Sequence, residues 1–193
     1  MFEVLRAYIE KMFPITDDEF ALFQELYIPR ELKKGELLQR EGEVVKYAAF
    51  VTKGCLRNYV IDDKGKEHVV MFAPENWWVA DSNSLINGAP TIYFVDAIED
   101  SAALLSDNEA NKVIMERIPA FARSFQMGVQ KHAAAKDKRI VQSLTATAEE
   151  RYLNFLATYP TIAQRVPQHM LASYLGVTPE TVSRIRKNLS RKK

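Results

Sequence analysis

The sequence has one cysteine, three histidines and no long apolar run, and each shortage excludes a class of protein. Cys55 alone allows no internal disulfide and no cysteine-ligated cluster. His68, His132 and His169 lie far apart and show no spacing of metal ligands. No segment resembles a membrane span or a signal peptide, and no phosphate loop, dinucleotide fingerprint or nucleophile elbow is present. We therefore expect a cytoplasmic protein without a metal centre that is not an enzyme.

Acidic and basic residues balance over the whole chain but not along it. The 193 residues carry a formal net charge of +1, and this length allows one or two domains. Residues 1–144 hold 18 Lys and Arg against 22 Asp and Glu, whereas residues 145–193 hold 8 against 3. The resulting charges of −4 and +5 are typical of a chain whose C-terminal part contacts the phosphates of a nucleic acid.

Residues 168–187 have the pattern of a DNA-reading helix-turn-helix. Ala172 is small where two helices would cross, and Gly176 suits a turn that needs a positive φ. Thr178 is a good N-cap for the second helix, whose first position Pro179 can occupy without losing a hydrogen bond. Apolar residues at the spacing of an interface between the helices are Leu171, Leu175, Val177, Val182 and Ile185.

The outward face of the second helix carries polar residues that can read bases. Arg184 can bind guanine O6 and N7 bidentately, and Glu180 can accept from cytosine N4. The alternative is an ordinary two-helix corner with a solvated polar face, which the concentrated positive charge makes the weaker interpretation. The predicted DNA-binding residues are Gln168, Thr178, Glu180, Thr181, Ser183, Arg184 and Lys187.

Short β-rich runs separated by turn signals predict an antiparallel roll in the first part of the chain. The sequence Asp62-Asp63-Lys64-Gly65 predicts a hairpin between two of the strands. Cys55, beside Gly54, is expected to be buried and inert; a redox role is the other interpretation. With short flanking helices, the roll forms a predicted sensor domain over residues 1–118. The predicted strands are 47–52, 55–61, 68–72 and 92–98.

Residues 119–144 predict a helix that is long for a globular protein. It packs either on its own roll or on a second copy of the chain, and we favour a dimerisation helix because helix-turn-helix proteins usually read paired half-sites. A capping box at Thr147–Glu150 begins the next helix, so residues 145–147 are the predicted hinge to a DNA-binding domain over 145–193. The apolar stripe of the long helix comprises Ile118, Phe121, Phe125, Val129, Ile140 and Leu144.

This order of elements resembles the Crp/Fnr family of bacterial transcription regulators. The stretch Gly-Val-Thr-Pro-Glu-Thr-Val-Ser-Arg at 176–184 resembles the recognition helix of that family, with Glu180 and Arg184 at base-reading positions and Pro179 in place of a further arginine. The resemblance implies an α+β fold: an N-terminal antiparallel β-roll (a double-stranded β-helix like a cyclic-nucleotide-binding domain), a long dimerisation helix and a C-terminal helix-turn-helix domain. Because the sequence stops at Lys193, directly after the recognition helix, we expect that domain to lack the usual wing, with the basic residues 191–193 contacting phosphates instead.

The resemblance also implies an effector site in the roll, with a cyclic nucleotide as the candidate ligand. Ala80-Asp81 stands where the family has Gly-Glu, and Thr91-Ile92 stands where it has the phosphate-binding Arg-Ser, so the phosphate-binding arginine is absent. Arg57 on a predicted strand or Arg123 on the long helix can replace that cation; the alternative role of Arg57 is a surface strand residue. The candidate pocket residues are Arg57, Asp81, Asn83, Thr91 and Arg123.

The sequence thus predicts a homodimeric, sequence-specific regulator of transcription with an effector-sensing roll. The expected partners are an operator in double-stranded DNA, a second copy of the chain, a small-molecule effector and RNA polymerase, with no membrane. One alternative is a cyclic-nucleotide-binding regulatory module that acts on a protein partner; another is a cupin-type enzyme, for which His68 alone supplies too few ligands. Trp77 and Trp78 either both pack in the core or divide between the core and a pocket.

Overall fold

The computed structural model describes residues 1–191 and contains both helices and antiparallel sheets, as an α+β fold requires. The helices are α1 Phe2–Glu10, α2 Asp17–Leu26, α3 Ser82–Asn87, α4 Asn108–Arg117, α5 Pro119–Thr145, α6 Ala148–Thr158, α7 Gln168–Leu175 and α8 Pro179–Arg191. The strands are β1 Ile28–Leu32, β2 Leu37–Gln39, β3 Ala48–Lys53, β4 Cys55–Ile61, β5 Glu67–Pro74, β6 Trp78–Val79, β7 Phe94–Ala97 and β8 Ser101–Ser106.

The strands form two four-stranded antiparallel sheets, which confirms the predicted roll. One sheet has the strand order β1-β8-β3-β6 and the other has the order β2-β7-β4-β5. Neighbours in each sheet come from distant parts of the chain, so most pairings are long-range: β8 pairs with β1 and β3, and β7 pairs with β2 and β4. The apolar interior of the roll contains Leu32, Ala49, Val51, Leu56, Ala73, Val79, Val95, Ala97, Ala103 and Leu105.

A second apolar cluster joins the short helices to the roll. It is aromatic at its centre, where Phe23 packs edge-on against Phe121 with their ring centroids 5.1 Å apart. Trp78 joins this cluster and Trp77 packs against the roll interior, as the interpretation of both as core residues predicts. Tyr27 is buried there and donates to Asn111 Oδ1 at 3.0 Å, and its burial raises the pKa of its phenol.

The chain divides into two compact units. The first comprises residues 1–60 and 71–129, and the second comprises residues 61–70 and 130–193. The tip of the β4–β5 hairpin and the second half of α5 therefore belong to the same unit as the helix-turn-helix. The predicted boundaries after residues 118 and 144 remain a prediction.

The second unit has its own core, built on helices α6, α7 and α8. Phe155 and Tyr159 of α6 pack on the ring of Tyr174, with centroid distances of 5.4 and 5.9 Å. The buried apolar side chains of these helices and the loop between them are Tyr152, Phe155, Tyr159, Ile162, Val166, Leu171, Ala172, Leu175, Val182 and Ile185.

The predicted capping box at the start of α6 is present. Thr147 Oγ1 accepts from the backbone N–H of Glu150, and the Glu150 carboxylate accepts from the Thr147 backbone N–H at 2.7 Å. The bonds from the backbone N–H and the hydroxyl of Thr147 hold the pKa of Glu150 below its usual value. The box therefore satisfies N–H groups that a helix start leaves unpaired.

Replacing Thr147 with alanine is expected to lower the free energy of unfolding by about 1 kcal/mol at neutral pH, because the helix loses its N-cap. Thr158→Ala, which removes an exposed hydroxyl at the other end of α6, is the matched control. Because the pKa of Glu150 is lowered in the folded state, its contribution is present above the usual glutamate pKa and is lost as the pH falls through the lowered pKa. Urea unfolding of both variants at neutral and acidic pH measures this difference; an equal cost at both pH values would contradict it.

Candidate DNA-binding and ligand-binding sites

The helix-turn-helix is built as its residue pattern predicts. Gly176 lies between α7 and α8 in the left-handed region, with φ at 65°, where glycine is favoured. The backbone N–H of Val177 donates to Ala172 O at 3.0 Å, which tightens the turn. Ala172 and Val182 are buried in the contact between the helices, so the polar side of α8 faces outward.

Glu180, Arg184 and Lys187 form one exposed face of α8 together with Ser183 and Arg191. Within residues 1–191, the side chains of Arg184 and Lys187 make no hydrogen bond or ion pair. The pKa of the Glu180 carboxylate is lowered by its own backbone N–H and by the Thr178 hydroxyl. This face therefore presents an ionised carboxylate beside two uncommitted cations.

The other predicted DNA-binding residues make hydrogen bonds that fix the start of α8 in place. Thr178 Oγ1 accepts from the Thr181 backbone N–H at 3.3 Å, which is the predicted N-cap. Gln168 Nε2 donates to Ser183 Oγ at 2.7 Å and to Pro179 O at 2.8 Å. The seven predicted residues thus lie together, with Glu180, Arg184 and Lys187 outward and the remaining four linked by hydrogen bonds.

Arg186 contributes to the positive charge of this region but has a structural role. Its Nε donates to Tyr152 OH at 3.1 Å, and its Nη2 donates to Ala163 O at 3.4 Å. It thereby ties α8 to α6 and to the loop after it. Arg191 is exposed at the end of α8, and the predicted phosphate contacts of residues 192–193 lie outside the described residues.

In the roll, Asp81 and Thr91, which stand at the Gly-Glu and Arg-Ser positions of the resemblance, are hydrogen-bonded to each other. The Asp81 carboxylate caps α3 by accepting from the Asn83 and Ser84 backbone N–H groups at 3.0 and 3.4 Å. It also accepts from the hydroxyl of Thr91 at 2.8 Å, and Thr91 Oγ1 accepts from Gln39 Nε2 at 3.0 Å. Thr91 is buried, and among the described residues the hydrogen-bond partners of Asp81 and Thr91 are backbone N–H groups, a hydroxyl and an amide rather than a cation.

Arg57 is buried, so the interpretation of it as a surface strand residue is wrong. Its Nε and Nη2 donate to the two carboxylate oxygens of Asp96 at 2.8 and 2.9 Å. The two residues are direct cross-strand partners on β4 and β7, and the guanidinium also lies over the Tyr59 ring at 4.0 Å. Its charge is therefore balanced within the sheet by a carboxylate that the sequence prediction missed.

The last two candidate pocket residues are exposed. The side chain of Asn83 lies on α3, where its Oδ1 accepts from Asn87 Nδ2 at 2.9 Å. The side chain of Arg123 lies on α5. Neither side chain is enclosed, and their predicted role in a pocket remains a prediction.

A cavity of about 520 Å³ opens at the loop between β2 and β3. Its walls are mainly apolar, and Gln39, Glu43 and Lys46 are its polar lining residues. Among the described residues, none of the five candidate pocket residues lines it. The apolar wall comprises Leu38, Val44, Val45, Tyr47, Val79 and Val95, in a pattern that the sequence does not distinguish from ordinary core.

Residues 1–191 contain no cluster of three or more His, Cys, Asp or Glu side chains able to hold a metal ion. His68 pairs instead with Asp62, whose pKa is lowered by the hydrogen bonds from His68 and from the Lys66 and Lys64 backbone N–H groups. In the same part of the chain, no helix combines the length and the apolar character needed to cross a membrane.

Comparison with known proteins places these features in a family context. The model of the cyclic nucleotide-binding domain matches residues 29–117. The transcriptional activator protein Anr of Pseudomonas aeruginosa is 25% identical over 167 residues, which cover 81% of this chain and 68% of Anr. FnrA of Stutzerimonas stutzeri, also named a transcriptional activator, is 26% identical over 168 residues, with coverage of 81% and 68%.

Solved structures share the fold at lower sequence identity. FixK2 from Bradyrhizobium japonicum superposes with a TM-score of 0.73 at 20% identity, covering 86% of both chains. The catabolite activator protein of Thermus thermophilus gives a TM-score of 0.59 at 18% identity, covering 94% of this chain and 86% of that one. These likenesses cover both the roll and the C-terminal helices.

Proposed function

Because the chain belongs to the Crp/Fnr family of transcription regulators, we propose that it is a homodimeric regulator that binds DNA in a sequence-specific manner. The exposed face of α8, with Glu180, Arg184 and Lys187, is the observation that carries this proposal. The names of the relatives, which are transcriptional activators, support a regulator rather than an enzyme. A regulator of this kind would act in the cytoplasm and would contact RNA polymerase at the promoter.

The two charged side chains on the first turns of α8, Glu180 and Arg184, would contact the bases. Arg184 supplies a planar donor pair for guanine, and the ionised Glu180 supplies an acceptor for cytosine N4. Lys187 and Arg191, one and two turns further along the same face, would contact phosphates. Pro179 has no side-chain donor, so the family position that it occupies adds no base contact in this chain.

An exposed apolar stripe on α5 supports dimerisation. Val129, Ile140 and Leu144 are 54%, 60% and 81% exposed. Ile140 and Leu144 are four residues apart, a spacing that places both side chains on one face of the helix, as packing of two helices along one seam requires. A second copy of the chain would cover this stripe and place two recognition helices about one DNA turn (~34 Å) apart.

The residues at the positions where the family resemblance implies a cyclic nucleotide do not fit that ligand. A cyclic phosphate carries a negative charge, and a buried anion needs a charge partner. Asp81 brings a carboxylate to this position, the buried Thr91 brings only a hydroxyl, and the Arg57 guanidinium is paired with Asp96. We therefore infer that the effector of this regulator is not a cyclic nucleotide.

Cyclic AMP and cyclic GMP are accordingly expected to give no heat of binding at micromolar concentrations. Calorimetry measures this directly, and the fluorescence of Trp77 and Trp78 gives a second signal. Micromolar binding would contradict the inference, because it requires a cation to leave its partner for the phosphate. Arg57→Gln then identifies that cation, since the variant keeps a polar side chain and loses the charge.

Selection of bound sequences from a pool of random duplex DNA tests the proposed function. The wild-type protein is expected to enrich a two-fold symmetric site with half-sites centred about 10 base pairs apart. Retention of no DNA at low salt would overturn the proposal and favour a module that acts on a protein partner. Retention without enrichment would show binding to phosphates alone.

A further inference from the structure

Strand β5 lies at the edge of its sheet, so one side of its backbone has no neighbouring strand. An edge strand presents unpaired N–H and C=O groups, which must find other partners if they are covered. The first four residues of β5 belong to the second unit and the last four to the first. The groups that form hydrogen bonds with this free edge therefore determine which element holds the tip of the β4–β5 hairpin, residues 61–70.

The side chain of Ser173 on α7 forms hydrogen bonds with this edge that a neighbouring strand would otherwise form. The backbone N–H of Val69 donates to Ser173 Oγ at 2.9 Å, and the Ser173 hydroxyl donates to Glu67 O at 2.8 Å. One hydroxyl thus satisfies both a donor and an acceptor on the edge of β5. The first helix of the helix-turn-helix is in this way bonded directly to the hairpin tip.

Arg139 of α5 reinforces the same junction. Its Nη2 donates to Val69 O at 3.1 Å and to Tyr174 O at 3.0 Å, and its Nη1 donates to Val70 O. The guanidinium also stacks on the Tyr174 ring, 3.9 Å from the centroid. A planar guanidinium suits this arrangement because its fork of donors can bind several acceptors while its face packs on a ring.

These contacts complete the hydrogen bonding at the C-terminal end of α7, where a helix leaves four carbonyl groups without partners inside the helix. Ala172 O and Ser173 O accept from backbone N–H groups of the turn. Tyr174 O accepts from Arg139, and Leu175 O accepts from Arg151 Nε at 3.0 Å. Two arginines from other helices therefore hold the end of α7, which favours positive charge.

We infer that Arg139 and Ser173 are positioning residues that fix the helix-turn-helix to the tip of the β4–β5 hairpin. This inference rests on the proposed function. The contacts use the carbonyl end of α7 and one hydroxyl, and they involve none of the seven predicted DNA-binding residues. The junction therefore orients the recognition helix without covering it, and a displacement of β5 would shift α7.

The inference predicts that Arg139→Ala weakens binding to the selected DNA site about tenfold or more, since each recognition helix must then be ordered by the DNA itself. Binding to random DNA is expected to remain close to that of wild type. Lys138→Ala is the matched control: it removes the same charge from an exposed position one residue earlier on α5. Ser173→Ala, which removes a single hydroxyl from a helix, tests the same junction if the arginine variant does not fold.

Hydrogen exchange distinguishes positioning from general destabilisation. In both variants the Val69 backbone N–H is expected to exchange faster, while the N–H groups of the α6 and α8 helices keep their protection. Unchanged affinity for the selected site, or a higher affinity, in a folded Arg139→Ala variant would overturn the inference. Failure of the wild type to enrich any site would instead overturn the proposed function, so the two failures are distinguishable.

Discussion

Replacing Arg184 with alanine is expected to abolish sequence-specific DNA binding while leaving non-specific binding largely intact. A bidentate contact to guanine discriminates against the wrong base by about 1–3 kcal/mol, and a dimer would lose two such contacts. Operator affinity should therefore fall by a factor on the order of 30 to 20,000. Arg184 is exposed on α8, so the change should not alter the fold.

Fluorescence anisotropy at one fixed salt concentration, with the selected duplex and a scrambled duplex, measures this effect. Lys46→Ala, which removes a positive charge from an exposed site in the first unit, is a control for overall electrostatics. Lys193→Ala, outside the described residues, is expected to weaken binding alike on both duplexes. Equal losses on both duplexes for Arg184→Ala would show that this arginine contacts phosphate rather than a base.

A charge in the middle of the α5 stripe is expected to separate the dimer. Ile140→Asp places two carboxylates close together in a seam that the proposed dimer buries, and an uncompensated buried charge costs about 3–5 kcal/mol. A monomer would contact one half-site at a time, which should lower operator affinity about 100-fold to 10,000-fold. Equilibrium sedimentation should then give the monomer mass of 22.1 kDa.

Val141→Asp is the matched control for this change. Val141 follows Ile140 directly and is similarly exposed, at 56% against 60%, but the helical twist directs its side chain away from the seam. We expect this variant to remain dimeric and to bind the operator like wild type. Dimers in both variants would show that another surface holds the two copies together.

The helix-turn-helix and the exposed polar face of α8 could be predicted from the sequence because their determinants are local. Gly176 is required by the positive φ of the turn, Thr178 by the helix start, and Pro179 tolerates only the first turn of a helix. The capping box at Thr147 is equally local, and it gave the correct start of α6. Each of these residues restricts the local backbone conformation independently of contacts with distant parts of the chain.

Elements that depend on long-range pairing were harder to predict. Strand β8 has the sequence Ser-Ala-Ala-Leu-Leu-Ser, which has little β propensity, yet all its residues are buried between β1 and β3. The predicted strand over 92–98 is observed only over Phe94–Ala97, because Pro90 bridges to Val44 and Thr91 bonds to Asp81 and Gln39. These constraints come from segments that lie far away in the sequence.

The candidate ligand pocket shows the same limit. The sequence indicates that the phosphate-binding arginine is absent, but it does not show which partners the other charged side chains have in the folded chain. Arg57 finds its partner, Asp96, 39 residues further along, through the register of β4 against β7. Arg139 likewise meets the carbonyl groups of β5 and α7 only in the folded chain. Local patterns therefore predicted the helix-turn-helix and the exposed polar face of α8 better than the Arg57–Asp96 pair or the contacts of Arg139.

The most direct test of a homodimeric, sequence-specific regulator compares three duplexes at one salt concentration. The first carries the selected symmetric site, the second carries one half-site, and the third carries neither. The proposed function predicts that one dimer binds the symmetric site at least about 1,000-fold more tightly than the third duplex, with the half-site between them. Equal affinity for all three duplexes would contradict sequence-specific recognition by paired helices.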